Sequence, residues 1–236
     1  MSDIVASFSV AAALIAGFDP ALLEIVALSL RVSLSAVVIG ALIGLPVGAA
    51  VAVARFRGRA FLIVCVNALM GLPPVVVGLI VYLHLSNSGP LGWLQILYTP
   101  AAMIVAQTIL VTPIVIALTR QFVEDADADY DEELRSLGVR GWRKLATLLM
   151  EVRYSLFTVI LAGFGRAIAE VGAVMIVGGN INHVTRVMTT AITLETSKGD
   201  LGLALALGIV LMLLALIVNG TATTVTRFAP GAAGYA

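Results

Sequence analysis

Charge is scarce in this chain. Only 12% of its 236 residues are Asp, Glu, Lys or Arg and 60% are hydrophobic, whereas a soluble globular domain carries roughly 25% charged residues. Such a chain cannot turn all of its surface to water. Cysteine is nearly absent: Cys65 is the single one, which excludes an intrachain disulfide, and it lies in an apolar run where a small buried hydrophobe is the simplest reading. The two histidines, His84 and His183, lack ligand spacing to each other, so no metal site is expected. No Gly-x-x-x-x-Gly-Lys-Ser/Thr loop occurs, which excludes nucleotide binding by that route. Neither a nucleophile–base pair nor a metal-ligand set is visible, so no catalytic residue is assigned.

What is present is apolar sequence in long runs. Five stretches have membrane-spanning length, near 25–53, 61–84, 101–118, 154–177 and 201–225. The fold class expected is all-α, a polytopic membrane bundle of five core helices. Residues 1–20 form a separate apolar segment, too short to cross comfortably and without a basic leading region, which argues against a cleaved signal. It reads as an interfacial or partly inserted helix, with a sixth span as the alternative. Residues 21–228 make up the membrane domain, and 229–236 a C-terminal tail.

Charge placement orients the spans. Arg55, Arg57 and Arg59 follow the first; Arg120, Arg135, Arg140, Arg143, Lys144 and Arg153 surround the loop between the third and fourth; Arg227 follows the fifth. The intervening segments 84–100 and 178–200 hold only Arg186 and Lys198. By the positive-inside rule the basic loops and the C-terminus are cytoplasmic.

Within the first span Gly40, Gly44 and Gly48 share one helix face and invite close approach of a neighbour. In the second, Pro73-Pro74 removes two backbone donors and forces a discontinuity, either a tolerated kink or a hinge or gate. Gln107, Thr108 and Thr112 in the third favour interhelical hydrogen bonds. The loop at 121–153 opens with acidic sequence. Asp129 is placed to cap a two-turn helix from Tyr130 that closes at Gly138 and presents Leu134 and Leu137 on one side. So short a helix needs a docking partner.

In the fourth span Arg166 and Glu170 stand one turn apart. Each costs about 2.5–3.5 kcal/mol to insert, so neither is expected to face lipid. Two readings fit: a structural salt bridge, or a lining in which Arg166 attracts a dianion and Glu170 limits its grip. Gly163, Gly165, Gly172, Gly178 and Gly179 are expected to allow close contact across a dimer axis. The polar segment Asn180, Asn182, His183, Thr185, Arg186 is either solvated or a seat for an extracytoplasmic protein.

Over most of its length the sequence resembles ABC importer permeases with a type I membrane domain. Glu132, Glu133, Leu134 and Gly138 stand on that family's Glu-Ala-Ala…Gly loop pattern, with Leu148 and Met150 at its apolar positions and Glu151 where the pattern has proline. Three stretches, Gly165 to Val174, Met188 to Thr196 and Met70 to Pro74, are similar to the tungstate/molybdate oxyanion branch, closest to tungstate permeases. The resemblance implies a non-catalytic, homodimeric permease of the cytoplasmic membrane whose 121–153 loop docks two ATPase subunits through Glu132, Glu133, Leu134, Leu137 and Gly138. It further implies an extracytoplasmic oxyanion-binding protein, with ATP and Mg held by the ATPases and no cofactor in this chain. The competing function is an ion-coupled secondary transporter or anion channel working through Arg166 and Glu170. Inverted repeats would favour it, and none is visible.

Overall fold

The computed structural model describes residues 2–227, and the expected tail at 229–236 lies outside the described residues. Ten α-helices follow one another, with no strand among the described residues: α1 Ser2–Ala16, α2 Pro20–Val53, α3 Arg59–Met70, α4 Pro74–Leu85, α5 Pro100–Ser136, α6 Trp142–Glu151, α7 Arg153–Ile168, α8 Gly172–Gly178, α9 Met188–Lys198 and α10 Leu201–Arg227. Helices α2, α5 and α10 are each long and apolar enough to cross a bilayer. The pairs α3/α4, bent by 96°, and α6/α7, bent by 75°, raise the number of spans to five if each pair is one span.

Asp19 ends the N-terminal segment: its carboxylate accepts from the amides of Ala21 and Leu22, both at 3.0 Å, and Pro20 takes the first helical position, where its missing donor costs nothing. The other end of α2 is closed by a distant side chain. Arg59 donates from Nε to the carbonyl of Val51 (2.9 Å) and from Nη2 to that of Ala52 (3.1 Å), and it also pairs with Glu124 of α5.

Helices α2 and α5 form the centre of the bundle, and the glycine face of α2 explains why. A Cβ at Gly44 would lie 2.7 Å from Val115 Cγ1, and one at Gly48 only 2.6 Å from the Ile116 carbonyl oxygen. Backbone cannot move aside as a side chain can. Gly48→Ala is therefore expected to destabilise the fold by about 1–3 kcal/mol, an overpacking cost, read as a lower thermal midpoint in detergent. Gly165→Ala, inside α7 with nothing within 4 Å, should not lower the midpoint, since alanine is favoured over glycine in a helix interior by about 0.5–1 kcal/mol.

Three apolar clusters are strung along this centre. One joins α1, α2, α5, α7, α9 and α10 through residues such as Val115, Val159, Phe164, Met188 and Leu207. A second joins α2, α4, α5 and α8 through Val32, Val81, Met103 and Val174. The third lies at the end of α5 and gathers Ala49, Ala52, Val123, Ala126, Leu134 and Leu148. Helix α5 contributes to all three.

Candidate functional site

Two places carry chemistry: the elbow after α5, and the break between α7 and α8. The elbow corrects one expectation. Asp129 does not start a separate helix; α5 runs without interruption over 37 residues to Ser136. Beyond Pro113 no glycine or proline interrupts it, and Glu, Ala and Arg favour helix. The charge that would repel is matched, since Lys144 of α6 binds both Asp127 and Asp131, at 2.5 and 2.6 Å, and Arg135 pairs with Asp131 at 2.7 Å. The hydrogen bond from Lys144 holds the Asp131 carboxyl below its usual range despite the opposing effect of burial. Burial would lower the Lys144 pKa, but its bonds to the two aspartates carry it above the usual value. Both groups are charged across the neutral range.

Gly138 closes the helix as expected. Its φ is +69°, its amide donates to the Arg135 carbonyl (3.0 Å), and the amide of Val139 reaches back to Leu134 (2.9 Å). These two bonds are the pair that defines a Schellman closure. The apolar anchors, however, part company. Leu134 is 7% exposed and sits in the third cluster, whereas Leu137 is 75% exposed. The reason is the continuous helix, which turns position 134 toward α6 and leaves 137 beyond the last turn. Trp142, also 75% exposed, stands just past the corner, and Glu132 and Glu133 on the last turns of α5 are exposed as well. Glu151, at the position of the family's proline, accepts a hydrogen bond from the Tyr130 hydroxyl (3.2 Å), tying the return of the loop to α5. The charge of Glu151 pushes the Tyr130 hydroxyl pKa up.

The second correction concerns Arg166 and Glu170. They pair, but not in mid-helix: α7 ends at Ile168, and Glu170 lies in the gap before α8. Glu170 is 4% exposed, and the Arg166 side chain is 33% exposed. The gap exists because side chains replace the lost helical bonds. Gln107 Nε2 of α5 donates to the Ala167 carbonyl (3.0 Å), Glu170 Oε1 accepts the amide of Ala173 (3.1 Å), and Thr189 of α9 donates to the Glu170 carbonyl (2.7 Å). The sequence marks Gln107 only as a polar group seeking a neighbouring helix, and Thr189 only as one residue of the Met188 to Thr196 stretch that resembles the oxyanion branch, with no partner assigned. Thr108 and Thr112 bond carbonyls of their own helix instead.

The proline pair meets this same break. Pro73 and Pro74 make the 96° corner, with the Pro73 carbonyl accepting from Val76 (3.0 Å) and Val77 (3.2 Å) at the start of α4. A Cβ on Gly172 would be 2.8 Å from Val75 Cγ2, and one on Gly78 2.8 Å from Ala173 Cα. The corner and the break are thus pressed together. The glycines expected at a dimer axis are mostly used inside the chain: Gly163 meets Val111, Gly172 Val75, Gly178 Met103 and Gly179 the Tyr98 ring, and Gly165 alone of the five faces open space. In the polar segment near 180–186, Asn180 bonds the Thr190 carbonyl (3.3 Å) and His183 Nδ1 lies 2.8 Å from Glu24 Oε2.

Residues 36–228 match the family described as binding-protein-dependent transport system inner membrane component. The chain belongs to this family. It is similar to the tungstate uptake system permease protein TupB of Peptoclostridium acidaminophilum, 39% identical over 219 residues, covering 93% of this chain and 96% of that protein. A probable anion ABC transporter permease protein of Haloferax volcanii is 41% identical over 218 residues, 90% of this chain and 94% of that one. The TupB protein of Campylobacter jejuni is 40% identical over 165 residues, 70% and 69% of the two chains. As a member of this family the chain is a membrane permease component.

Proposed function

We propose that this chain is the membrane-spanning, non-catalytic subunit of an ATP-driven importer that carries an oxyanion inward, tungstate before molybdate. Two copies form the pathway, two separate ATPase subunits bind ATP and Mg, and an extracytoplasmic binding protein delivers the anion. The C-terminus is cytoplasmic. The observation that carries this reading is the name borne by relatives 39% and 40% identical, each a tungstate uptake permease.

The elbow supplies the means of coupling. Glu132, Glu133, Leu137 and Gly138 present a charged rim around an apolar knob, the chemistry of helix-in-groove docking; Leu134 supports this surface from within. Helix α5 then acts as a lever, since one rigid element of about 55 Å joins the elbow to Gln107 and, through it, to the Ala167 carbonyl beside the Arg166–Glu170 pair. Movement of docked ATPases shifts α5, and the break between α7 and α8 moves with it. The Pro73-Pro74 corner, packed on that break, is the hinge or gate. Arg166 offers a dianion a positive group partly neutralised by Glu170, an attraction weak enough to permit release.

Proteoliposomes holding the assembled transporter test this. Uptake and binding-protein-stimulated ATP hydrolysis are measured with tungstate, molybdate and sulfate at equal concentration. Stimulation by tungstate, then molybdate, is expected. Uptake by this chain without ATPase subunits, or no response to either anion, would overturn it.

A further inference from the structure

Helices α7 and α10 do not close against each other along their whole length. At the corner where α7 begins, a cavity of about 420 Å³ is lined by Arg153, Tyr154, Phe157 and Val225. One turn further into the membrane a second cavity of about 380 Å³ has Thr158, Ala162 and Gly165 on one wall and Ala215, Asn219 and Ala222 on the other. Positions 154, 157, 158, 161, 162 and 165 form one face of a helix, and 215, 218, 219, 222 and 225 form one face of its neighbour. The two cavities therefore lie end to end in a single furrow. Its floor is open because alanines and Gly165 line it, and a Cβ at Gly165 would meet nothing within 4 Å.

The furrow has a polar end and an apolar remainder. Arg153 stacks over the Tyr154 ring at 4.6 Å and donates one bond, from Nη1 to the Met150 carbonyl (2.8 Å). No carboxylate pairs with it among the described residues, so the guanidinium keeps donors free toward the mouth. Asn219 and Thr158 each donate to a carbonyl one turn back on their own helix, Ala215 (2.8 Å) and Tyr154 (3.4 Å), and the other residues lining this part of the furrow are apolar. The adjoining stripe of α10, with Met212, Leu213, Leu216 and Ile217, is uncovered apolar surface. From Arg153 to Gly165 the furrow runs about 18 Å at 1.5 Å per residue, close to the roughly 15 Å depth of one leaflet of a 30 Å hydrocarbon core.

We propose that this furrow holds one acidic phospholipid of the cytoplasmic leaflet, its phosphate on Arg153 and one acyl chain laid along Phe157, Ala162 and Gly165. Charge and length select this occupant together. A zwitterionic lipid places a cation beside Arg153, and a packed helix from a second copy would have to bring its own acceptor to the mouth. The assignment rests on the cytoplasmic placement of the α6–α7 corner.

The test uses the complete transporter in nanodiscs of mixed phosphatidylglycerol and phosphatidylcholine, with retained lipid counted by native mass spectrometry. One phosphatidylglycerol per permease is expected, preferred about fivefold, the equivalent of about 1 kcal/mol for a single arginine at the membrane surface. Arg153→Gln should abolish the preference. Ala162→Leu, which fills the floor and leaves Arg153 in place, should lower retention of phosphatidylglycerol. Equal retention of both lipids by the unmodified protein, a measurement that needs no variant to fold, would overturn the assignment. So would an unchanged preference in Arg153→Gln, or a disulfide between two copies of Ala162→Cys, which would put a second copy in the furrow. Equal retention of both lipids by the unmodified transporter, with its anion uptake intact, would overturn the furrow alone and leave the importer standing.

Discussion

Gly138→Val is expected to separate ATP hydrolysis from uptake. The glycine has φ +69° and nothing within 4 Å of a Cβ placed on it, so valine would meet no obstacle in space and all of its penalty in the backbone. An L-residue in the left-handed region costs about 1–2 kcal/mol, more for a β-branched side chain. That strain works directly against the two closing bonds, from Gly138 to Arg135 and from Val139 to Leu134. A shift of this size lowers the ratio of closed to open elbow by about tenfold, and uptake should fall by up to that factor. The rest of the bundle is untouched, because Leu134 still packs in its cluster. The prediction is checked in proteoliposomes: basal ATP hydrolysis stays near the unmodified rate, while both its stimulation and anion uptake drop, by up to about tenfold. Gly138→Asn, which tolerates the left-handed region, should recover much of the loss. Normal uptake in Gly138→Val would remove the elbow from the coupling path.

The second large effect is expected at Glu170. Alanine there deletes the partner of Arg166, the acceptor for the Ala173 amide and the negative charge at the start of α8 in one step. Removing Glu170 leaves Arg166, a third exposed, without its partner and the buried Ala173 amide without an acceptor; the lost acceptor alone costs about 1–3 kcal/mol, and Glu170→Ala should lower the thermal midpoint in detergent. Glu170→Gln is the informative variant. Its amide oxygen still accepts from Ala173 and its shape is retained, but both the charge and the acceptor facing Arg166 are gone, since the amide nitrogen takes the place of Oε2. If the pair tunes an anion path, this variant folds but releases anion slowly, with uptake reduced at saturating substrate. If the pair only holds the break together, uptake per folded protein stays unchanged.

Much of this architecture was legible from residue patterns alone. Apolar runs of spanning length marked the bundle, Pro73-Pro74 marked a corner, and Gly138 marked the end of a helix, because each of these is a local property of a few neighbouring residues. The family was legible in the loop and in the stretches around Arg166 for the same reason. Where reading failed, the deciding partner was far away in the chain. Asp129 resembles a helix cap, and the helix nevertheless continues through it because Lys144 of α6 neutralises the acids that would have weakened it. Leu134 and Leu137 look equivalent at their spacing, yet only the first finds Leu148 and Ala49.

The α7–α8 break shows the division most clearly. The amino acids by themselves determined a membrane-embedded helical chain, an uneven distribution of its basic residues among the loops, and an Arg–Glu pair too costly to leave in lipid. Only the tertiary structure decided that a helix would stop between Ile168 and Gly172. Its freed backbone groups are satisfied by Gln107 from α5 and Thr189 from α9, as well as by Glu170. A buried backbone group must find a partner, and whether one is waiting depends on which distant segments the packing brings alongside.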